Sequence, residues 1–155
     1  MSSNNIPHES LKRILVVDDE SNVTLFFKTV LNDNGFYVDT FNDPVKALSR
    51  FKPQFYAIVF IDMRMPHLNG FQFFRLLRKK DRQVKVCFLT AFQSYYNSLK
   101  DEHPGLNVKC FIRKPIETEE LLSIVRRELI QSKWKLMEER GILVLTIFFM
   151  IGEIL

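Results

Sequence analysis

The chain has 155 residues, 46% hydrophobic and 26% charged, which suits one globular domain around a single core and excludes disordered and fibrous classes. Its net charge of +4 is spread along the sequence, so charge alone points to no nucleic-acid partner. Cys87 and Cys110 each sit in a short apolar stretch, the usual setting of buried free thiols in a reducing compartment; neither a disulfide nor a thiolate metal site is expected. The opening MSSNNIPHES lacks the apolar core of a signal peptide, so a cytoplasmic location is expected.

From Lys12 onward two kinds of segment alternate. RILVVDD is an apolar run rich in β-branched residues that stops on acids, which reads as a strand buried on both faces. Between Glu20 and Asn34, Val23, Phe26, Phe27, Val30 and Leu31 recur at helical spacing, and Gly35 suits the left-handed residue that closes a helix. FYVDTF is a second strand. Asp43-Pro44 then supplies an N-cap and a first-turn proline for a helix carrying Val45, Leu48 and Phe51. YAIVFID is the third strand, and GFQFFRLLRKK an amphipathic helix with Phe71, Phe74 and Leu77 on its apolar face and a solvated basic face opposite. VKVCFLT is the fourth strand, Phe92 to Glu102 a helix, VKCFIRK the fifth strand and TEELLSIVRRELIQSKWKLMEE a long last helix.

Strict alternation implies a doubly wound α/β fold, a five-stranded parallel sheet with helices on both faces, because each parallel crossover needs a helix to return the chain. Every strand except the second ends in a residue with chemistry: Asp18-Asp19, Asp62, Thr90, and Lys114 just beyond the fifth. With strand order 2-1-3-4-5 the first and third strands are neighbours, and the three acids converge at the switch point where such sheets bind ligands. Crowded carboxylates call for a hard divalent cation with oxygen ligands, the habit of Mg²⁺. Lys114 and Thr90 would add a positive charge and a hydroxyl, a set suited to a phosphoryl group.

ILVVDDE, IVFIDMRMP, LTA and FIRKP, in this order and at these separations, resemble the receiver domain of two-component response regulators, with a CheY-like, flavodoxin-like fold. The resemblance covers residues 12–131, leaving a polar extension at 1–11 and, at 132–155, the end of the last helix and an apolar tail; no output domain is expected. It implies that Asp62 accepts a phosphoryl group from a phosphohistidine of a sensor histidine kinase or histidine phosphotransfer protein. It implies that Asp19 holds Mg²⁺ directly and Asp18 mainly through water, with Asp62 and the backbone carbonyl of Arg64 completing the protein ligands. Thr90 would bond a phosphoryl oxygen, Ala91 leave room for it, and Lys114 pair with another oxygen. Thr90 and Phe111 would be the switch residues that alter the face of helix four, strand five and helix five toward a downstream partner. Lys114-Pro115 resembles a pair joined by a cis bond. Arg64 and Phe92 would flank the phosphoryl group, bulky Phe92 slowing attack by water.

The expected role is therefore a phospho-accepting signalling module and not a turnover enzyme. A pseudo-receiver that never carries phosphate is disfavoured by the intact set of acids, Thr and Lys. An aspartyl-nucleophile phosphatase of the haloacid-dehalogenase kind needs a second Asp where Arg64 stands. A nucleotide-binding fold lacks its Gly-rich loop after the first strand. His8, His67 and His103 show no ligand spacing. The apolar run from Ile142 to Ile151 falls short of the roughly 20 residues that span a bilayer, so self-association as a homodimer or docking is expected of it in preference to membrane contact.

Overall fold

The computed structural model describes residues 12–102, 110–139 and 141. The elements, in chain order, are β1 (Arg13–Val17), α1 (Ser21–Asp33), β2 (Tyr37–Phe41), α2 (Pro44–Arg50), β3 (Ile58–Asp62), α3 (Gly70–Lys80), β4 (Lys85–Thr90), α4 (Gln93–Glu102), β5 (Cys110–Arg113) and α5 (Thr118–Glu139). The strands form one parallel sheet, as the alternation implied, and their order is the expected β2-β1-β3-β4-β5. β1, β3 and β4 are central and nearly every residue in them is buried, whereas β2 lies at an edge with Tyr37 exposed.

The pleat sends alternate side chains to opposite faces. Leu15, Val17, Val59, Ile61, Val86 and Phe88 point to one face and join Ala47 and Phe51 from the α2 segment and Phe73, Phe74 and Leu77 of α3 in a single core. On the other face Phe60 meets Phe27 of α1, with ring centroids 5.1 Å apart. Helices thus cover both faces.

Local signals account for several helix ends. The Asp43 carboxylate accepts from the N–H groups of Val45 and Lys46 ahead of the α2 proline. Asn69 and Gln72 form a reciprocal capping box that opens α3. Gly35 takes φ +85° just beyond α1, where the Phe36 N–H reaches back to the Leu31 carbonyl.

Two helix faces differ from expectation. In α3 the fully buried aromatic is Phe73, while Phe71 is only half-buried. In α2, Val45 is 56% exposed and Ala47 faces the core. Both helices hold more apolar residues than one stripe can bury, so periodicity alone leaves the rotation ambiguous.

Cys87 and Cys110 are register partners on β4 and β5, with Cα atoms 4.5 Å apart, and their sulfurs are joined in a disulfide. This overturns the expectation of two free thiols. Each cysteine does sit in an apolar stretch, but the pairing register that brings them side by side is invisible in local composition.

The chain divides into two units, Met1–Ile116 and Glu117–Leu155, and α5 makes up nearly all the described part of the second. Glu119 and Glu120 occupy its first turn, where negative charge complements the helix dipole. Among the described residues no helix is long and apolar enough to cross a membrane. The apolar run 142–151, and the roles expected of it, lie outside the described residues.

Candidate functional site

The register explains why the acids meet. Val17 of β1 pairs with Ile61 of β3, so Asp18 and Asp62, each one residue further on, arrive level at the carboxyl edge of the sheet. Carboxylate oxygens of Asp18, Asp19 and Asp62 all lie within 4.8 Å of one another. Asp18 is fully buried and Asp62 is 4% exposed, while Asp19 is open to solvent.

Lys114, brought in just beyond β5, is the counter-charge. Its Nζ lies 3.1 Å from Asp18 Oδ2, 3.3 Å from Asp62 Oδ1 and 2.7 Å from Glu20 Oε1. The Lys114 N–H donates to the Thr90 carbonyl at 2.8 Å, fixing the loop after β5 to the end of β4. The Lys114-Pro115 bond is cis, as the resemblance implied.

Burial, then the neighbouring Asp18 charge, pushes the Asp62 carboxyl up to about 7, with Lys114 pulling the other way. Burial likewise raises Asp18, against the opposing pull of the Glu20 N–H and Lys114. Burial works against the Lys114 ammonium, yet Glu20, Asp62 and Asp18 together hold it above the ordinary lysine range. At both acids burial outweighs the pull of the lysine. Three carboxylates gathered within 4.8 Å, a donor set made of oxygens alone, fit a hard cation such as Mg²⁺.

Thr90 is buried at the end of β4, but its hydroxyl is turned onto its own loop, donating to the Phe92 carbonyl at 3.0 Å and accepting from the Phe92 N–H at 3.1 Å. Ala91 and Phe92 are exposed. Arg64, two residues past Asp62, lays its guanidinium over the rings of Phe92 at 5.9 Å and Tyr95 at 5.6 Å. Phe111 is half-buried, its ring 5.5 Å from that of Phe88.

Three residues at the site carry no expectation from the sequence. Asn42 follows β2, the strand thought to end without chemistry, and its amide donates to the Asp18 carbonyl at 2.7 Å and to Thr24 Oγ1 at 3.0 Å. It supports the acidic loop from the neighbouring strand. Glu20 is the N-cap of α1 yet makes no side-chain cap, its carboxylate going to Lys114 instead. Gly70 opens α3 against the end of β3, where an added Cβ would overlap the Asp62 carbonyl oxygen and lie 2.9 Å from Met63 Cα. The only advance signal was a polar Asn at a strand end.

The family model of the response regulator receiver domain matches residues 14–126. The chain belongs to this family. Its receiver domain is 32% identical over 124 residues to an uncharacterised transcriptional regulatory protein, YkoG, of Bacillus subtilis, covering 79% of this chain and 53% of that protein. It is 28% identical over 116 residues to the response regulator ArlR of Staphylococcus aureus, covering 75% and 52%. The chain thus spans about half the length of these curated relatives. Among solved structures, the non-phosphorylated HemR receiver domain of Leptospira biflexa superposes with a TM-score of 0.67 at 27% identity, over 76% of this chain and 93% of that one. A CheY-like receiver domain protein of Methanospirillum hungatei shares the fold, with a TM-score of 0.72 at 24% identity over 81% and 99%.

Proposed function

We propose that this receiver domain is a phospho-acceptor in a two-component or phosphorelay system, with Asp62 as the nucleophile. The reading is carried by one observation: a buried carboxylate at a strand end lies between a second buried acid and a lysine, with a third acid in reach. A carboxylate oxygen of Asp62 attacks the phosphorus of a phosphohistidine on a sensor histidine kinase or phosphotransfer protein. The P–O bond forms as the P–N bond breaks, the imidazole leaves, and an acyl phosphate remains on Asp62. Asp18, Asp19, Asp62 and the Arg64 carbonyl would hold Mg²⁺, which when bound neutralises charge on the transferring group.

Ordinary chemistry of the chain's own residues supplies the rest. Lys114 pairs with one phosphoryl oxygen, and the exposed small residue Ala91 leaves room for the group. Thr90 must exchange its bond to the Phe92 carbonyl for one to a second phosphoryl oxygen. Phe111, lacking a hydroxyl, signals through packing alone. The new negative charge biases two packings of the face that carries α4 and β5, and a partner protein reads the difference. In this role the chain is a switch and not a turnover enzyme; it loses its phosphate slowly to water.

Incubation with acetyl phosphate and Mg²⁺, followed by intact mass, tests the proposal. Wild type gains one phosphoryl group and Asp62→Asn gains none. A wild-type protein that stays unmodified would identify a pseudo-receiver instead.

A further inference from the structure

We propose that Cys87 and Cys110 are a reversible redox site that fastens the edge strand β5 to the sheet when oxidised and frees it when reduced. The two sulfurs are bonded across neighbouring parallel strands, at a sequence separation of 23. β5 is four residues long and stands last in the sheet order, with β4 as its partner. A short strand held along one side is among the parts of a sheet most easily opened. The disulfide ties its first rung, Cys87 to Cys110, and the next rung carries the Phe88 and Phe111 rings on the opposite face. Lys114 follows just beyond the strand, so the strand that the bond fastens also delivers the ammonium to Asp18 and Asp62.

Its place in the fold separates this bond from a structural staple. Staples serve domains too small to build a core, whereas this sheet is packed on both faces and β4 is buried along nearly its whole length. The bond instead closes a ring around Thr90 and α4. Access to it is one-sided: Cys87 is fully buried, while Cys110 opens the edge strand, so fraying of that strand end uncovers its sulfur first. A dithiol reductant supplies a balanced step. One of its thiolates attacks the Cys110 sulfur, the S–S bond breaks, and Cys87 leaves as a thiolate that takes up a proton. The second reductant thiol loses its proton, attacks its own neighbour's sulfur in the mixed disulfide, and releases Cys110, which is protonated in turn. Two electrons and two protons pass to the cysteine pair and the reductant ends as a disulfide. Glutathione disulfide reverses the exchange, leaving two glutathione thiols.

The folded wild-type chain is incubated with dithiothreitol and then with glutathione disulfide, its thiols being counted at each stage by iodoacetamide labelling and intact mass. The count should go from zero to two and back to zero while the circular dichroism of the fold persists. Hydrogen exchange is then compared between the two forms. On reduction the amides of Cys110–Arg113 and Lys114 should exchange faster, on the order of tenfold up to a few hundredfold, the upper figure being the full loop-closure effect of the cross-link. Those of β1 and β3 should hold their rates. Cys110→Ala should exchange at β5 as reduced wild type does and ignore glutathione disulfide; should it not fold, the two forms of wild type decide the matter. A disulfide that yields only in denaturant is a fixed staple and overturns the proposal. So does a thiol count that stays at two in glutathione disulfide, and so does a β5 exchange rate that is equal in both forms or changes no more than that of β1 and β3.

Discussion

Replacing Asp62 by Asn probes the electrostatics of the site before any phosphoryl group is present. The Asp62 carboxyl is raised from 3.8 to about 7, chiefly by burial and then by Asp18. A shift of about three units corresponds to about 4 kcal/mol, and because Asp62 is only 4% exposed, solvent screening trims this little. The sign follows from the folded state holding the proton more tightly than the unfolded chain. The carboxyl's favourable contribution is complete below the unfolded value and is lost as pH rises through about 7. Asn does not titrate. Without metal, the stability of Asp62→Asn relative to wild type should therefore rise from its value at about pH 4 by up to about 4 kcal/mol at about pH 8. Urea unfolding of both proteins in a chelating buffer across that range gives the difference directly, since groups that do not sense residue 62 cancel. A difference that stays flat with pH, or one that moves against the variant at the alkaline end, would refute the reasoning. Added Mg²⁺ should stabilise wild type more than the variant at high pH, because the ion offsets the same crowding.

Gly70→Ala should destabilise the fold by about 2 kcal/mol or more in urea unfolding, since the overlap of its Cβ with the Asp62 carbonyl outweighs the better helix propensity of Ala. Asn42→Ala removes hydrogen bonds to the Asp18 carbonyl and Thr24, and should cost about 1–2 kcal/mol and weaken Mg²⁺ binding on the order of tenfold by calorimetry. Asn69→Ala breaks the capping box of α3 and should cost about 1 kcal/mol, leaving acetyl phosphate labelling intact. Phe92→Glu puts a carboxylate in place of an exposed ring that lies against Arg64, and on the phospho-acceptor proposal the phosphorylated protein should release phosphate on the order of tenfold faster, followed by intact mass over time.

The sheet was legible because each central strand is a short apolar run bounded by polar residues, and because helices of 3.6-residue periodicity stand between them. The convergence of Asp18, Asp19, Asp62 and Lys114 was legible for the same reason: these residues lie at or just beyond strand ends, where local pattern and fold geometry coincide. What escaped depends on pairing across the chain. The Glu20 ion pair spans 94 residues. The Asn42 bond to Asp18 depends on β2 lying beside β1, and the disulfide on the register of β4 against β5. Phe73 was missed for a different reason. In a helix with three phenylalanines in four positions, rotation is chosen by the surface it packs against and not by the sequence alone.

The close seating of Gly70 beneath the end of β3 has a mechanical consequence. The Met63 N–H is tied to the Leu89 carbonyl, and the Met63 carbonyl receives the Gly70 N–H, so the backbone just past Asp62 is braced on two sides. Weight placed on that carboxylate meets an anvil and not a spring. The Thr90 hydroxyl, by contrast, is bonded to the Phe92 backbone of its own loop and not to the frame around Asp62.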